Sequence, residues 1–248
     1  MYIQKEMIQK RVLLLATLFA ACGAWAQHHE SFLDPQTRPD GTKWIPEPPS
    51  VTGGDFANDF YFYQWGMTQR EGTTGELALW DESARLCDVF SESMGITLSK
   101  GPEGTPEILK LAETAVADAH AANTRVKEYY RRKRPFATFN QPSLKPEEDD
   151  RMATTLSYPS GHSSRGWMFA LVLSTVAPER TEALMERARI FALNRVICGH
   201  HWKSDIDASL MLVAGIFANV VVTEAYQTQL QKARAEYLEK KRSAQPSR

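Results

Sequence analysis

Apolar residues recur at helical spacing along most of this chain, and no alternating pattern typical of a strand extends beyond a few residues. The spacing is first clear at Phe56, Phe60, Tyr63 and Met67. Further helical stretches are predicted over Leu77 to Met94, Thr105 to residue 133, Gly161 to Val176, Pro178 to about Ile197, Asp205 to Ala225 and Gln227 to Arg242. The pattern predicts a single all-α domain over residues 55–242, without a substantial sheet.

Capping residues and prolines mark the predicted boundaries. Thr105 is expected to cap the helix that Pro106 opens at its first position. The stretch from Ala208 to Val222 is strongly apolar but short for a membrane span, so we expect it to form the central buried helix. Residues 140–157 contain prolines and an acidic run, which predicts a polar loop.

Residues 1–26 have the features of a secretory signal peptide. Lys5 and Lys10 precede a short apolar run over residues 12–21, and Ala24-Trp25-Ala26 has the small-x-small form of a cleavage site. These features predict a cleaved signal and export to the periplasm. An alternative is lipid anchoring at Cys22, because Phe19-Ala20-Ala21-Cys22 loosely resembles a lipoprotein processing site.

The segments that flank the helical domain read differently. Residues 27–54 are rich in Pro, Gly, Asp and Thr, which predicts an extended arm, and residues 243–248 are expected to form a disordered tail. Cys87 and Cys198 follow the signal peptide. Two cysteines do not make a disulfide framework, so pairing and two buried free thiols both stay open.

Composition narrows the function classes. Hydrophobic residues make up 43% and charged residues 24% of the chain, as in ordinary globular proteins. The formal net charge is −1, so no global basic field attracts nucleic acid. The sequence contains no CxxC pair, no HExxH and no Cys/His metal spacing, so neither a metal site nor a cofactor is predicted.

Lys127 and Arg134 form the first chemical cluster. They are seven residues apart, two helical turns, so they are expected to project from one face. An ammonium and a planar guanidinium suit different oxygens of one phosphoryl group. The alternative is that the run from Arg131 to Pro135 is simply a solvated charged segment.

Ser160, Gly161 and His162 form the second cluster, between the polar loop and an apolar helix. Ser160 can cap that helix, and Gly161 allows the backbone to approach an anion at the free N–H groups. His162 would then stand beside a bound phosphate and protonate a leaving alkoxide, which requires a charged ring near neutral pH. The alternative is an ordinary helix start with an incidental histidine.

Arg195, His201 and Asp205 form the third cluster. His201 and Asp205 are spaced i, i+4, so Asp205 can hold one ring nitrogen and leave the other free as a nucleophile. His200 and Asp207 are less well spaced for this pairing. The alternative is a surface His–Asp pair without a catalytic role.

These clusters, in this order, resemble the motifs of the type 2 phosphatidic acid phosphatase superfamily. The matching segments are Lys127-x6-Arg134-Pro135, Pro159-Ser160-Gly161-His162 and Asn194-Arg195-x5-His201-x3-Asp205. The sequence around the third segment resembles the secreted class A bacterial non-specific acid phosphatases, and the resemblance covers roughly Gly66 to Leu238. Asn194 departs from the pattern, which has serine before the arginine.

The resemblance implies an all-α, metal-free phosphatase that forms a covalent phosphohistidine. By position, His201 would attack phosphorus, Asp205 would orient it and His162 would protonate the leaving group. The implied phosphate-binding residues are Lys127, Arg134, Ser160, Gly161 and Arg195. The expected ligands are small phosphate monoesters, with no nucleic acid and no membrane span, and the sequence leaves open whether the chain forms a homo-oligomer.

Three other functions compete with this prediction. A vanadium-dependent haloperoxidase would hold vanadate on the same histidine. A membrane lipid phosphatase would need several spanning helices, and no segment after residue 26 is long and apolar enough. An exported phosphate-binding protein without turnover would bind phosphate even after loss of both histidines. The sequence does not identify the preferred substrate.

Overall fold

The computed structural model of the chain describes residues 30–244. The predicted signal peptide and the alternative anchor at Cys22 lie outside the described residues, as do positions 245–248 of the predicted tail. Between residues 30 and 244 there is no β-strand, which confirms the predicted all-α class. The α-helices of this region are α1 (Ala57–Thr68), α2 (Gly72–Ser83), α3 (Leu86–Met94), α4 (Pro106–Tyr130), α5 (Pro135–Phe139), α6 (Asp149–Ala153), α7 (Gly161–Val176), α8 (Thr181–Ile197), α9 (Lys203–Val220) and α10 (Glu224–Ser243).

Two predicted segments differ from the observed helices. The stretch from Leu77 to Met94 is two helices, because Ala84 and Arg85 are extended between α2 and α3. The predicted polar loop over 140–157 contains a 3-10 turn, Pro146–Glu148, followed by α6. Its acidic run falls in the first turns of these elements, where carboxylates favour a helix N-terminus.

The N-terminus of α4 is capped from another helix. The predicted cap, Thr105, forms no side-chain bond to the helix start, and its hydroxyl oxygen instead accepts the backbone N–H of Ser99 at 3.1 Å. The carboxylate of Glu236 on α10 accepts the N–H groups of Glu107 (3.2 Å) and Ile108 (2.9 Å). The capping prediction was therefore wrong in its residue, because a distant carboxylate satisfies the same donors.

The centre of the helical domain is α7, and the expectation of a central helix over Asp205 to Ala225 is corrected. Helix α7 packs against α3, α4, α8, α9 and α10. Helix α9 is apolar toward α7 and α4, but Met211 on its outer side is 45% exposed. The apolar pattern therefore predicts that α9 is a core helix, but it does not predict which core helix lies at the centre.

The arm before α1 is anchored on α4. Asp118 is fully buried, and its carboxylate accepts the hydroxyl of Ser31 (2.5 Å) and the backbone N–H of Phe32 (2.8 Å). Arg38 forms an ion pair with the same carboxylate at 3.0 Å. A buried carboxylate that is fully hydrogen-bonded fixes this segment although it contains little regular structure.

Cys87 and Cys198 are both buried and free. Cys87 belongs to the main core, whereas Cys198 packs with Ala78 and Ile197 in a small separate cluster. The structure therefore agrees with the reading of two buried thiols.

The described helices were also compared with the requirements of a membrane span. No single helix between residues 30 and 244 is long and apolar enough to cross a membrane. Helices α9 and α10 meet the length and composition criteria only as a pair, and that pair is bent by 94°.

Candidate active site

The eight residues predicted to act on a phosphoryl group come from helix ends that meet. They are Lys127 in the last turn of α4, Arg134 before α5, Ser160, Gly161 and His162 at the start of α7, Arg195 in the last turn of α8, and His201 and Asp205 around the start of α9. Contacts among these residues and their neighbours join all eight into one cluster.

The His201 ring is held at both nitrogen atoms. Its Nδ1 lies 3.1 Å from Asp205 Oδ2, and its Nε2 lies 3.1 Å from Arg134 Nη1. A guanidinium only donates, so Nε2 accepts and the ring proton is on Nδ1, directed at Asp205. Burial, followed by the cations Arg134 and Lys127, holds the pKa of His201 well below its usual range. The ring is therefore neutral, with the Nε2 lone pair directed toward the cations.

Asp205 is fixed through both carboxylate oxygens. Oδ2 accepts the backbone N–H of Trp202 at 2.9 Å, and Oδ1 accepts Arg132 Nη1 at 2.8 Å. Burial raises the pKa of Asp205, and the ion pair with Arg132 opposes that rise. The backbone carbonyl of Asp205 accepts the N–H of Ser160 at 3.0 Å, which ties the start of α9 to the start of α7.

Lys127 and Arg134 converge on one backbone carbonyl. Lys127 Nζ and Arg134 Nη2 donate to the oxygen of Leu156 at 2.6 and 3.3 Å. Arg134 also donates to the carbonyl of His200 (2.8 Å) and to the hydroxyl of Thr155 (2.9 Å). Burial and the Arg134 charge lower the pKa of Lys127 to about 7, and burial lowers that of Arg134 to about 10. The segment at Thr155 and Leu156 thus positions both cations.

The start of α7 has the predicted cap. Ser160 Oγ accepts the backbone N–H of Ser163 at 3.2 Å and its hydroxyl at 2.9 Å. A Cβ at Gly161 would lie 3.4 Å from Asn123 Oδ1 and 3.7 Å from Lys127 Cε. The backbone therefore runs close to the ammonium group, and the free N–H groups of the helix start add to an anion-binding surface.

His162 stacks on Phe191, with ring centroids 4.1 Å apart and planes inclined by 19°. Its Nε2 is buried and has no hydrogen-bond partner among residues 30–244. Burial, with the charges of Arg165 and His200, lowers the pKa of His162 to about 3. The expectation of a charged ring near neutral pH is therefore wrong for the ligand-free protein, because burial outweighs every group that favours the charge.

Arg195 is only 2% exposed. Its Nη1 forms an ion pair with Glu82, and its Nη2 donates to His200 Nδ1 at 2.9 Å. Its Nε has no hydrogen-bond partner in the described part of the chain. The carbonyl of Arg195 accepts the N–H groups of His200 and His201, both at 3.2 Å, so the third cation and the His201 ring share one turn.

His200 and Glu82 are site residues that the sequence did not reveal. Because Arg195 donates to His200 Nδ1, the neutral His200 ring carries its proton on Nε2, which faces Asp149 Oδ1 at 4.0 Å. Burial and the Arg195 charge lower the pKa of His200 to about 3. His200 thus supports Arg195, and Asp205 holds His201. Nothing in the sequence signals Glu82, which lies on α2, far from the motifs.

The turn that carries both histidines is fixed from α1. Arg70, just after that helix, donates to the carbonyls of Ile197 (3.0 Å) and Cys198 (3.4 Å). Gly199 has a φ of +78°, and a Cβ there would lie 2.5 Å from Arg70 Nη2. The positive φ favours glycine at this position, and a Cβ there would also displace the end of the Arg70 side chain from the turn.

Asn194 and Asp207, both named with the third cluster of the sequence, lie at the edge of the site. Asn194, the departure from the motif, donates to buried Asp81 at 2.7 Å, and Arg187 also pairs with Asp81. Asn194 therefore joins α8 to α2 and does not face the cations. Asp207 pairs with Lys203 on the exposed side of α9.

One group in the described region has the composition of a metal site. Ligand atoms of Glu82, Cys198 and His200 all lie within 4.8 Å of one another. The guanidinium of Arg195 already contacts Glu82 and His200. A metal ion would have to compete with this fixed cation for the same ligands.

Comparisons with known proteins identify the family that this chain resembles. The sequence profile described as PAP2 superfamily matches residues 109–229, which include all eight predicted residues. A non-specific acid phosphatase of Providencia stuartii is 36% identical over 207 residues, which cover 82% of this chain and 83% of the relative. A non-specific acid phosphatase of Salmonella typhimurium is 32% identical over 219 residues, 87% of each chain. An acid phosphatase of Zymomonas mobilis is 28% identical over 201 residues, 79% of this chain and 75% of the relative.

Proposed function

The chain belongs to the PAP2 superfamily and is an acid phosphatase of the bacterial non-specific group, and we propose that it hydrolyses a broad range of phosphate monoesters through a covalent phosphohistidine, without a metal ion, after export to the periplasm. The observation that carries the mechanism is the His201 ring between Asp205 and Arg134. It fixes the tautomer whose free lone pair lies on Nε2.

In the first step, the lone pair of His201 Nε2 forms a bond to phosphorus while the ester P–O bond breaks. A phosphoryl oxygen takes over the N–H of Arg134 that now meets Nε2, and this exchange frees the nucleophile. Asp205 stays on Nδ1 and stabilises the positive charge that the ring acquires. In the second step water attacks phosphorus, the N–P bond breaks, and phosphate leaves.

His162 transfers the protons of both steps. Its Nε2 is buried without a partner, so it can meet the ester oxygen. A phosphoryl anion raises the pKa of a neighbouring histidine, so substrate binding opposes the burial that keeps this ring neutral. The charged ring donates a proton to the leaving oxygen, and the neutral ring then takes a proton from the attacking water.

Three cations supply the charge that phosphoryl transfer requires. Lys127 and Arg134 meet at Leu156, and Arg195 Nε is a buried donor without a protein partner in the described region. The Ser160 hydroxyl and the Gly161 N–H add donors that carry no proton-transfer role. This arrangement favours stabilisation of the equatorial oxygens by fixed protein groups.

Steady-state assays test the proposal. The wild-type rate on each substrate, aryl or alkyl phosphate, should be the same with EDTA as without it. His201→Ala should lose turnover by about 1,000-fold or more, because the nucleophile is absent. His162→Ala should lose more activity on alkyl than on aryl phosphates, because aryl oxides leave with little protonation. Loss of wild-type activity in EDTA, restored by Zn²⁺ or Mg²⁺, would contradict the metal-free mechanism.

The same assays separate the alternatives. A phosphate-binding protein would show no hydrolysis above background and would still bind phosphate in the His162→Ala, His201→Ala double variant. A haloperoxidase-like enzyme would oxidise halide with hydrogen peroxide, and only when vanadate is added.

A further inference from the structure

Arg132 is the second residue of a four-residue basic run, 131–134, which the sequence suggests is solvated, yet its side chain is only 8% exposed. It lies between α4 and α5, two residues before Arg134. Its guanidinium lies 5.2 Å from the Trp202 ring centroid and 5.9 Å from that of Tyr158. The guanidinium is therefore enclosed by aromatic rings and is directed at the start of α9.

Arg132 joins two buried carboxylates. Its Nη1 donates to Asp205 Oδ1 at 2.8 Å and its Nη2 donates to Asp59 Oδ2 at 2.7 Å. The exposed fractions of these two side chains are 0 and 1%. A buried cation with two hydrogen-bonded anions is a costly arrangement to leave incomplete.

Asp59 also caps the helix that carries Asp205. Its Oδ1 accepts the backbone N–H of Ser204 at 2.7 Å, and its Oδ2 accepts the Ser204 hydroxyl at 2.6 Å. The N-cap residue of α9 is Trp202, which forms no side-chain cap, so a carboxylate from α1 satisfies a free N–H of this helix start. The hydroxyl of Ser204 also accepts Arg132 Nη1 at 2.7 Å.

We propose that Arg132, held by Asp59, is a positioning residue that acts on His201 through Asp205. Arg132 fixes Asp205 Oδ1, which leaves Oδ2 directed at His201 Nδ1. The charge of Arg132 also favours the ionised form of this fully buried carboxylate. Only the ionised form presents Oδ2 purely as an acceptor for the hydrogen bond from His201 Nδ1–H. Arg132 does not contact His201 or the other predicted phosphate ligands through any bond in the described structure. This inference rests on the proposed phosphohistidine mechanism.

A double-mutant cycle tests the inference. Arg132→Met should lower kcat by about tenfold or more, while the inhibition constant for inorganic phosphate changes less than about threefold, because Lys127, Arg134 and Arg195 are untouched. In the Asp205→Asn background the same substitution should change kcat by less than about twofold, since its target is already lost. Arg131→Met is the matched control: Arg131 is the exposed neighbour, and this variant should retain wild-type kcat.

Equal loss of kcat from Arg132→Met in both backgrounds would overturn the inference, as would wild-type kcat in a folded Arg132→Met. Asp59→Asn serves if Arg132→Met does not fold. It keeps the size of the side chain but weakens the hold on Arg132, and it should lower kcat only where Asp205 is present. The cycle includes the wild-type protein as its reference. If wild type has no phosphatase activity, the proposed function is refuted and the inference about Arg132 is not the cause.

Discussion

At the scale of residues, the surroundings of His201 and His162 give the two histidines different roles. His201 is neutral because burial and the cations Arg134 and Lys127 lower its pKa, and Asp205 directs its proton. His162 is neutral in the ligand-free protein because it is buried against Phe191. The first ring is ready to attack, whereas the second requires the substrate's negative charge to become an acid.

Lys127 should determine the alkaline limb of kcat/KM, which reports groups of the free enzyme. Its pKa is lowered to about 7, so its charge is present below that pH and is lost as the pH rises through it. Lys127→Arg keeps the charge, because arginine stays protonated far above neutrality. The limb should move upward by about one pH unit or more with the same substrate.

The measurement is kcat/KM against pH for wild type and Lys127→Arg on one aryl phosphate. Ionisation of the substrate is common to both enzymes, so a difference belongs to the protein. An alkaline limb at the same pH in both would assign it to another group.

At the scale of elements, the site is assembled from helix ends, each held by a group from a different helix. Asp59 of α1 caps α9, and Glu236 of α10 caps α4. Arg70, just beyond α1, fixes the turn after α8. Contacts of this kind explain how isolated helix termini keep the positions that phosphate binding requires.

Glu236 should contribute to stability and leave catalysis unchanged. It caps the first turn of α4, a helix of 25 residues whose last turn carries Lys127. These ends are about 30 Å apart along the helix. Glu236→Ala should cost about 1 kcal/mol, as loss of a helix cap does, and lower Tm by about 2–4 °C.

Thermal unfolding and kcat of Glu236→Ala, with Glu239→Ala as control, provide the check. Glu239 is exposed on the same helix, so its variant reports the loss of a surface carboxylate alone. Equal Tm values for the two variants would show that the cap contributes nothing.

At the scale of the whole molecule, the sequence predicted the helical class and the residues with motif spacing. His201 and Asp205 could be paired because they lie one helical turn apart. Arg132 could not be identified, because nothing in a basic run indicates which of its arginines is buried. Glu82 could not be identified either, because it contacts Arg195 across more than 100 residues of sequence. Depth in the core was misjudged for the same reason: α7 and α9 are both apolar, and only packing distinguishes them.

The central claim is that His201 carries the phosphoryl group during turnover. The protein is mixed with an aryl phosphate that carries the radiolabel on phosphorus, and the reaction is stopped in alkaline denaturant because an N–P bond is labile to acid. The denatured protein should retain labelled phosphate. The label should approach about one per chain in His162→Ala, where the water that releases it has no base. It should map to the peptide that contains His201 and be absent from His201→Ala. Label that persists in His201→Ala, or turnover in wild type with no label at any time, would contradict the account.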